Sequence, residues 1–328
     1  MCEMATMDYE KLAVELIRVV RGQRSQTAFS KRLGYRSNVC SAWEAGRAWP
    51  TAARFFHAVE RSGRTLEAIT PFYRMPAGTD VAHALKSGAG VAAFLDDLRG
   101  AITTIDIARG IGRSRFAVAR WLSGEAEPRL PDFLRLIEAS SLRLLDFLAC
   151  FVDPNRLPSV AAAWKELESA RRAAHEMPWS QAVLRVFELD AYRKLKRHRP
   201  GFIAEQLRIS REEEERCVAL LLETGQIRKQ RQRLVTGAPL TVDTRGDLAR
   251  SRETKAWWSK VGLERLQSAA EGTFSYNLFS ISHADLQRIR ELYRAYFREV
   301  RRIVAASEPA ECVVLMNVHL FELGRPAR

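Results

Sequence analysis

The chain has 328 residues, 47% of them hydrophobic and 28% charged, a mixture that folds rather than stays disordered. Its net charge of +13 points to a polyanionic partner: nucleic acid, a membrane surface or an acidic protein. No apolar run approaches the ~18 residues of a membrane span, and the start MCEMATMDYE lacks the apolar core of a secretory signal, so a cytoplasmic protein is expected.

In chain order, Asp8 to Val20 reads as a helix, and Thr27 to Leu33 as a short second one carrying Phe29 and Leu33. Gly34 permits a tight turn with positive φ. Arg36 to Ala45 reads as a third helix, with Val39, Cys40 and Trp43 on its apolar side. Gly46 is placed to cap it, and Pro50 opens a fourth helix, Thr51 to Ser62. The pattern then recurs 78 residues later without a gap: Gly34/Gly112, Trp43/Trp121, Gly46/Gly124 and Pro50/Pro128 all share that offset, as do Val59/Ile137 and Leu66/Leu144. Duplication of one small unit is the simplest account. Two short helices joined by a glycine turn form a helix-turn-helix, whose second helix can enter the major groove.

These residues resemble the Cro/C1-repressor family of helix-turn-helix domains, over about Asp8 to Ile69 and again Val91 to Val152. The shared pattern is a small residue four before the turn glycine (Ser30, Ala108), the glycine, a large apolar residue nine later, then Gly and Pro. The second copy departs from it at Leu122, where the family carries Glu. By position, the resemblance implies DNA contacts from Gln26, Arg36, Ser37, Asn38, Ala42 and Arg47 in the first copy. In the second it implies Thr104, Ser114, Arg115 and Arg120, with Arg113 adjacent. Arg suits guanine O6/N7 and Asn suits adenine N6/N7. Trp43, Trp121 and Cys40 read as core; Phe116, at an exposed position, fits either a thymine methyl or a protein partner.

The first copy is the more basic. Residues 1–72 carry +4, whereas Val91 to Arg156 holds nine basic and nine acidic residues. The stretch 71–88 between the copies reads as a linker, about 60 Å if fully extended, enough to span half-sites ~34 Å apart. The expected domains are therefore 1–70, the linker 71–88, 89–153, a helical connector 154–178, then 179–245 and 246–328.

The second half reads as a winged helix. Ala182 to Leu195 and Pro200 to Leu207 are helical, Ser210 with Glu213 forms a capping box for Arg211 to Glu223, and Gln226 to Val235 supplies a wing. The helix begins REEEER, and its four glutamates would repel phosphates. The flanking runs RKLKRHR and RKQRQR are basic, and fit either a solvated face or contact with DNA backbone. After a helix bearing Trp257 and Trp258 comes a β-α-β pattern: Thr273 to Ile281, a long helix capped by Ser282, and Cys312 to Phe321. The helix stripe Leu286, Ile289, Tyr293, Tyr296, Val300 and Ile303 either packs on its own two strands or makes a homodimer. The order of elements from Val91 to Leu323 is similar to a family of putative bacterial winged-helix regulators.

The expected class is thus mainly α: two tandem Cro/C1-like helix-turn-helix domains, a winged-helix-like domain and a small C-terminal β-α-β module. Five singly placed cysteines and six histidines never fall at metal-ligand spacing, and no phosphate loop or nucleophile elbow occurs, so no metal, cofactor or catalytic residue is nominated. The expected partner is double-stranded DNA, with an effector or protein partner unassigned and no membrane. The expected function is transcription regulation, not catalysis. A protein-interaction scaffold using the same folds is the alternative, and an enzyme with an unrecognised site in the second half stands behind it.

Overall fold

The computed structural model describes residues 7–67, 69, 81–100, 102–236, 248–268 and 270–324. It is mainly helical, with one two-stranded hairpin among the described residues. The chain divides between Lys165 and Glu166 into two compact units, each with its own apolar core.

In unit 1 the helix starts follow local capping chemistry. Asp8 caps α1 (Tyr9–Arg21), accepting from the Lys11 N–H at 2.8 Å, and Ser25 caps α2 (Gln26–Arg32). Asn38 caps α3 (Val39–Glu44), and Thr51 caps α4 (Ala52–Arg61). After the short α5 (Val81–Ala84) the pattern returns as α6 (Gly88–Arg99), α7 (Thr104–Ile111), α8 (Arg115–Leu122) and α9 (Leu130–Ser141). α10 (Leu144–Ala149) follows, and the division falls inside α11 (Ala161–Glu176). The turn glycines Gly34 (φ 87°) and Gly112 (φ 64°) both take the positive φ their positions demand.

α3 is shorter than the pattern predicts. It begins at Val39, not Arg36, with Asn38 as its cap. α8 begins two residues earlier in the equivalent frame, because Ser114 matches Arg36 and caps readily, accepting from the Ala117 N–H at 3.2 Å.

The two copies do not stand as separate domains. Their apolar residues form one continuous core. At its centre Thr51 and Arg129, equivalent by the 78-residue offset, form an isolated antiparallel bridge. The Ala52 N–H donates to the Pro128 carbonyl (3.0 Å) and the Leu130 N–H to the Pro50 carbonyl (2.9 Å). Each bond is the image of the other under the same offset, which is the signature of a pseudo-two-fold axis. α1 packs on α9 and, reciprocally, α6 packs on α4. Across the join, Phe56 meets Phe133, Phe147 and Phe151 edge-on at 5.4–6.2 Å, and Arg135 pairs with Glu10 at 2.6 Å. The stretch read as a spanning linker contains α5; its residues 71–80 lie outside the described residues.

Unit 2 carries α12 (Trp179–Val186), α13 (Asp190–Arg193), α14 (Phe202–Leu207) and α15 (Arg211–Glu223). The hairpin β1 (Ile227–Gln230) and β2 (Arg233–Thr236) follows, in the register Ile227↔Thr236 to Gln230↔Arg233. The single helix expected over Ala182 to Leu195 is two, because the Asp190 N–H donates to the Ala310 carbonyl (2.8 Å) instead of continuing the helix. α16 (Leu248–Gln267) stacks Trp257 and Trp258 edge-on against Trp179. α17 (His283–Ala306) starts where predicted, with Ser282 accepting from the Asp285 N–H.

The expected strands beside α17 are a correction. Residues 273–282 and 310–322 run without helix, turn or bend, but neither forms a ladder. The alternation that predicts a strand is present, but neither segment has a partner strand among the described residues. No helix among the described residues is long and apolar enough to cross a membrane.

Candidate nucleic-acid interface

The α2–α3 surface is held from beneath by one buried carboxylate. Glu44, 8% exposed at the end of α3, accepts from Arg21 Nε on α1 (2.5 Å), Gln26 Nε2 on α2 (2.9 Å) and the Cys40 thiol (3.3 Å). Burial works against its charge, but the hydrogen bonds from Arg21, Gln26 and Cys40 hold its carboxyl below the usual range. Burial, with the Glu44 contact, pushes the Cys40 thiol up to about 12, so it stays protonated at neutral pH, as a core residue should. Gln26, expected at a phosphate, has its side chain turned inward to Glu44.

The sequence carried a signal for this role: Glu44 follows Cys40 by one helical turn and adjoins the buried Trp43. In the second copy Leu122 fills the place, and Arg99, equivalent to Arg21, pairs with Asp96 instead. Because a lowered native pKa stabilises the fold only while the group is ionised, Glu44 contributes above its ordinary pKa, and that contribution fades as pH falls through the lowered native value. Glu44→Gln is expected to cost about 1–2 kcal/mol at pH 7 and less at pH 3. Chemical denaturation at both pH values measures the two differences; equal costs would show that the charge is immaterial.

Above this support, Arg36, Ser37 and Asn38 are exposed at the start of α3. Asn38 Oδ1 accepts from the Ser41 N–H (3.3 Å) and from the Ser30 hydroxyl (3.2 Å), and its Nδ2 makes no hydrogen bond among the described residues. Ala42 lies half-buried on α3, and Arg47 is exposed just past it. Neither Arg36 nor Arg47 makes an ion pair among the described residues. Trp43 is core, meeting Tyr35 edge-on at 5.8 Å.

The second copy presents a different surface. Ser114 caps α8, Arg115 is exposed and unpaired among the described residues, and Phe116 is 80% exposed where the first copy has Asn38. Arg113 is tied to Asp132 at 2.8 Å, and the exposed Arg120 lies 3.9 Å from Glu125. Thr104 is half-buried in the first turn of α7, next to the capping Thr103. Trp121 is only half-buried.

In unit 2 the acidic run on α15 divides by helical phase. Glu214 is 2% exposed and accepts from the Gly201 N–H (3.0 Å) and the Ala204 N–H (2.7 Å), capping α14 from the next helix. Its spacing of three and seven from the buried Cys217 and Leu221 marks it as inward-facing. Ser210 completes the predicted cap, accepting from the Glu213 N–H at 3.0 Å. Glu212 and Glu215 stay exposed. The two basic runs come together: the His198 N–H donates to the Gln232 carbonyl (2.8 Å) and Arg233 Nη2 to the Arg193 carbonyl (2.8 Å). This sets Lys196 and Arg197 beside the hairpin that carries Arg228, Lys229 and Arg231, all exposed and without ion pairs among the described residues. Nearby, Arg265 on α16 donates to the carbonyls of Leu207 and Arg208 and so closes the end of α14.

A family model described as Domain of unknown function (DUF4423) matches residues 159–323, half of the chain. The chain belongs to this family. The DUF4423 match opens two residues before α11 and ends just past the second extended segment, so it takes in the basic hairpin edge, α16 and α17. It stops short of both repeats, where a resemblance reaching back to Val91 was expected, and no Cro/C1-type family model matches them. No curated protein and no solved structure matches the chain. Among the described residues no group of three His, Cys, Asp or Glu is placed to hold a metal ion.

Proposed function

We propose that this DUF4423 protein is a sequence-specific, double-stranded DNA-binding transcription regulator. In this reading α2–α3 and α7–α8 are helix-turn-helix units of the Cro/C1 kind, α12 to β2 is a winged helix, and the action is in the cytoplasm. The observation that carries it is the reciprocal Pro50/Pro128 bridging, which pairs the two units about one axis within a single chain. Repressors of two-fold symmetry read two half-sites in the same way. Here the half-sites would differ, since one unit offers Arg36, Ser37 and Asn38 and the other Ser114, Arg115 and Phe116. The exposed cations of the hairpin edge would add phosphate contacts without sequence preference.

The test is selection of bound fragments from genomic DNA at two salt concentrations. An enriched asymmetric site whose affinity falls steeply with salt is expected; no enrichment at either concentration overturns the reading. Arg36→Ala should then cost about 1–3 kcal/mol at one cognate base pair, while Arg113→Ala, whose partner is Asp132, should change DNA affinity little. Equal weakening on all sequences would make Arg36 a phosphate contact only. One observation favours a protein-binding role for the second copy: the outward Phe116, in a segment whose basic and acidic residues balance.

A further inference from the structure

The C-terminal part of unit 2 is apolar where it meets solvent. On residues 273–282, Phe274, Tyr276, Leu278, Phe279 and Ile281 are 40–91% exposed. On residues 310–322, Val314, Met316, Val318 and Leu320 alternate along the chain at 38–77% exposed. On α17, Leu286 is buried and Ile289 and Val300 half-buried, but Tyr293, Tyr296, Phe297 and Ile303 are 37–57% exposed. Among the described residues the backbone of 273–281 and 311–321 makes no backbone hydrogen bond, while at their ends the Ala310 carbonyl accepts from Asp190 and the Ser282 carbonyl from Leu286. Yet the second segment is not adrift: Val313 packs on the core of unit 2, and Asn317 Nδ2 donates to the Trp258 carbonyl at 3.0 Å. A strand pattern is therefore held in place with its ladder groups unsatisfied.

We propose that a second copy of this chain completes the module. The two segments of one copy would pair with those of its partner, and the α17 stripes would cover the shared sheet. Three features select a second copy over a different partner. The exposed side chains amount to about seven large residues fully open, on the order of 1,000 Å² at roughly 150 Å² each, above the ~800 Å² per partner of a standard interface. Residues 272–284 and 312–321 contain no Asp, Glu, Lys or Arg, as the centre of a permanent interface requires, and so offer no charge by which to select an unlike partner. Each copy also brings both unpaired edges and the helix that covers them, so a two-fold arrangement satisfies both copies at once.

This inference stands apart from the DNA reading and survives its failure. The full-length chain is measured by light scattering at micromolar concentration and by amide hydrogen exchange. A particle of twice 37.2 kDa is expected, with slow exchange across 273–282 and 310–322. Tyr276→Asp together with Val318→Asp should raise the dimer dissociation constant at least about 30-fold, with unit 1 still folded by circular dichroism. A monomer of the unaltered chain overturns the proposal. So does a dimer in which those amides exchange as fast as free chain, since its contact then lies elsewhere.

Discussion

Phe56→Ala is expected to destabilise unit 1 by about 3–5 kcal/mol and lower its melting temperature by roughly 10 °C. Phe56 is fully buried, and its ring meets Phe55 in its own copy and Phe133, Phe147 and Phe151 in the second half of the unit. Truncation removes the transfer energy of the ring and opens a cavity that four other rings cannot collapse to fill. The more telling expectation concerns cooperativity. Because the core is shared, amide exchange should quicken in α7 and α8, which carry no ring partner of Phe56, as much as in α2 and α3. Exchange that quickens in the first copy alone would mean that the two copies are independent domains after all.

The 78-residue repeat made the helices of unit 1 legible because their punctuation is local. Gly34, Gly112, Ser25, Thr51 and Ser114 act through their own φ or their own side-chain oxygen, and these survive without knowledge of the rest of the chain. What Pro50 and Pro128 do was hidden. Each was legible as a helix opener, but its carbonyl accepts from the other copy, a contact set 78 residues away that no local pattern encodes. The same limit governs the C-terminal segments. Alternation in Phe274, Tyr276 and Leu278 reads as a strand, but a ladder needs a second edge, which the alternation of one segment does not encode, and none forms among the described residues. In the candidate interface the exposure of Arg36 and Arg115 follows from the polar start of each copy's third helix, whereas the inward turn of Gln26 and the pairing of Arg113 depend on Glu44 and Asp132, which lie 18 and 19 residues away.

Glu214→Ala should cost unit 2 about 3–5 kcal/mol, although it removes one of four consecutive glutamates. The carboxylate satisfies the Gly201 and Ala204 N–H groups, two of the donors that the start of α14 leaves open. Gly201 cannot replace it, because it has no side chain and sits at φ 86°, with Arg211 Nε only 2.9 Å from where a Cβ would stand. Alanine therefore leaves two buried donors unpaired and loses a negative charge at the positive end of a helix. Glu214→Gln keeps one acceptor oxygen and should recover about half of the loss. Glu212→Ala and Glu215→Ala, both exposed, should stay within about 0.5 kcal/mol of the unaltered chain. Urea unfolding of the four variants separates these cases. If the three glutamates prove equivalent, the run is only a charged surface and α14 is capped by some other group. If Glu214 alone matters, the acidic face of α15 reduces to Glu212 and Glu215, and neutralising that pair becomes the direct way to ask whether α15 is kept from DNA by charge.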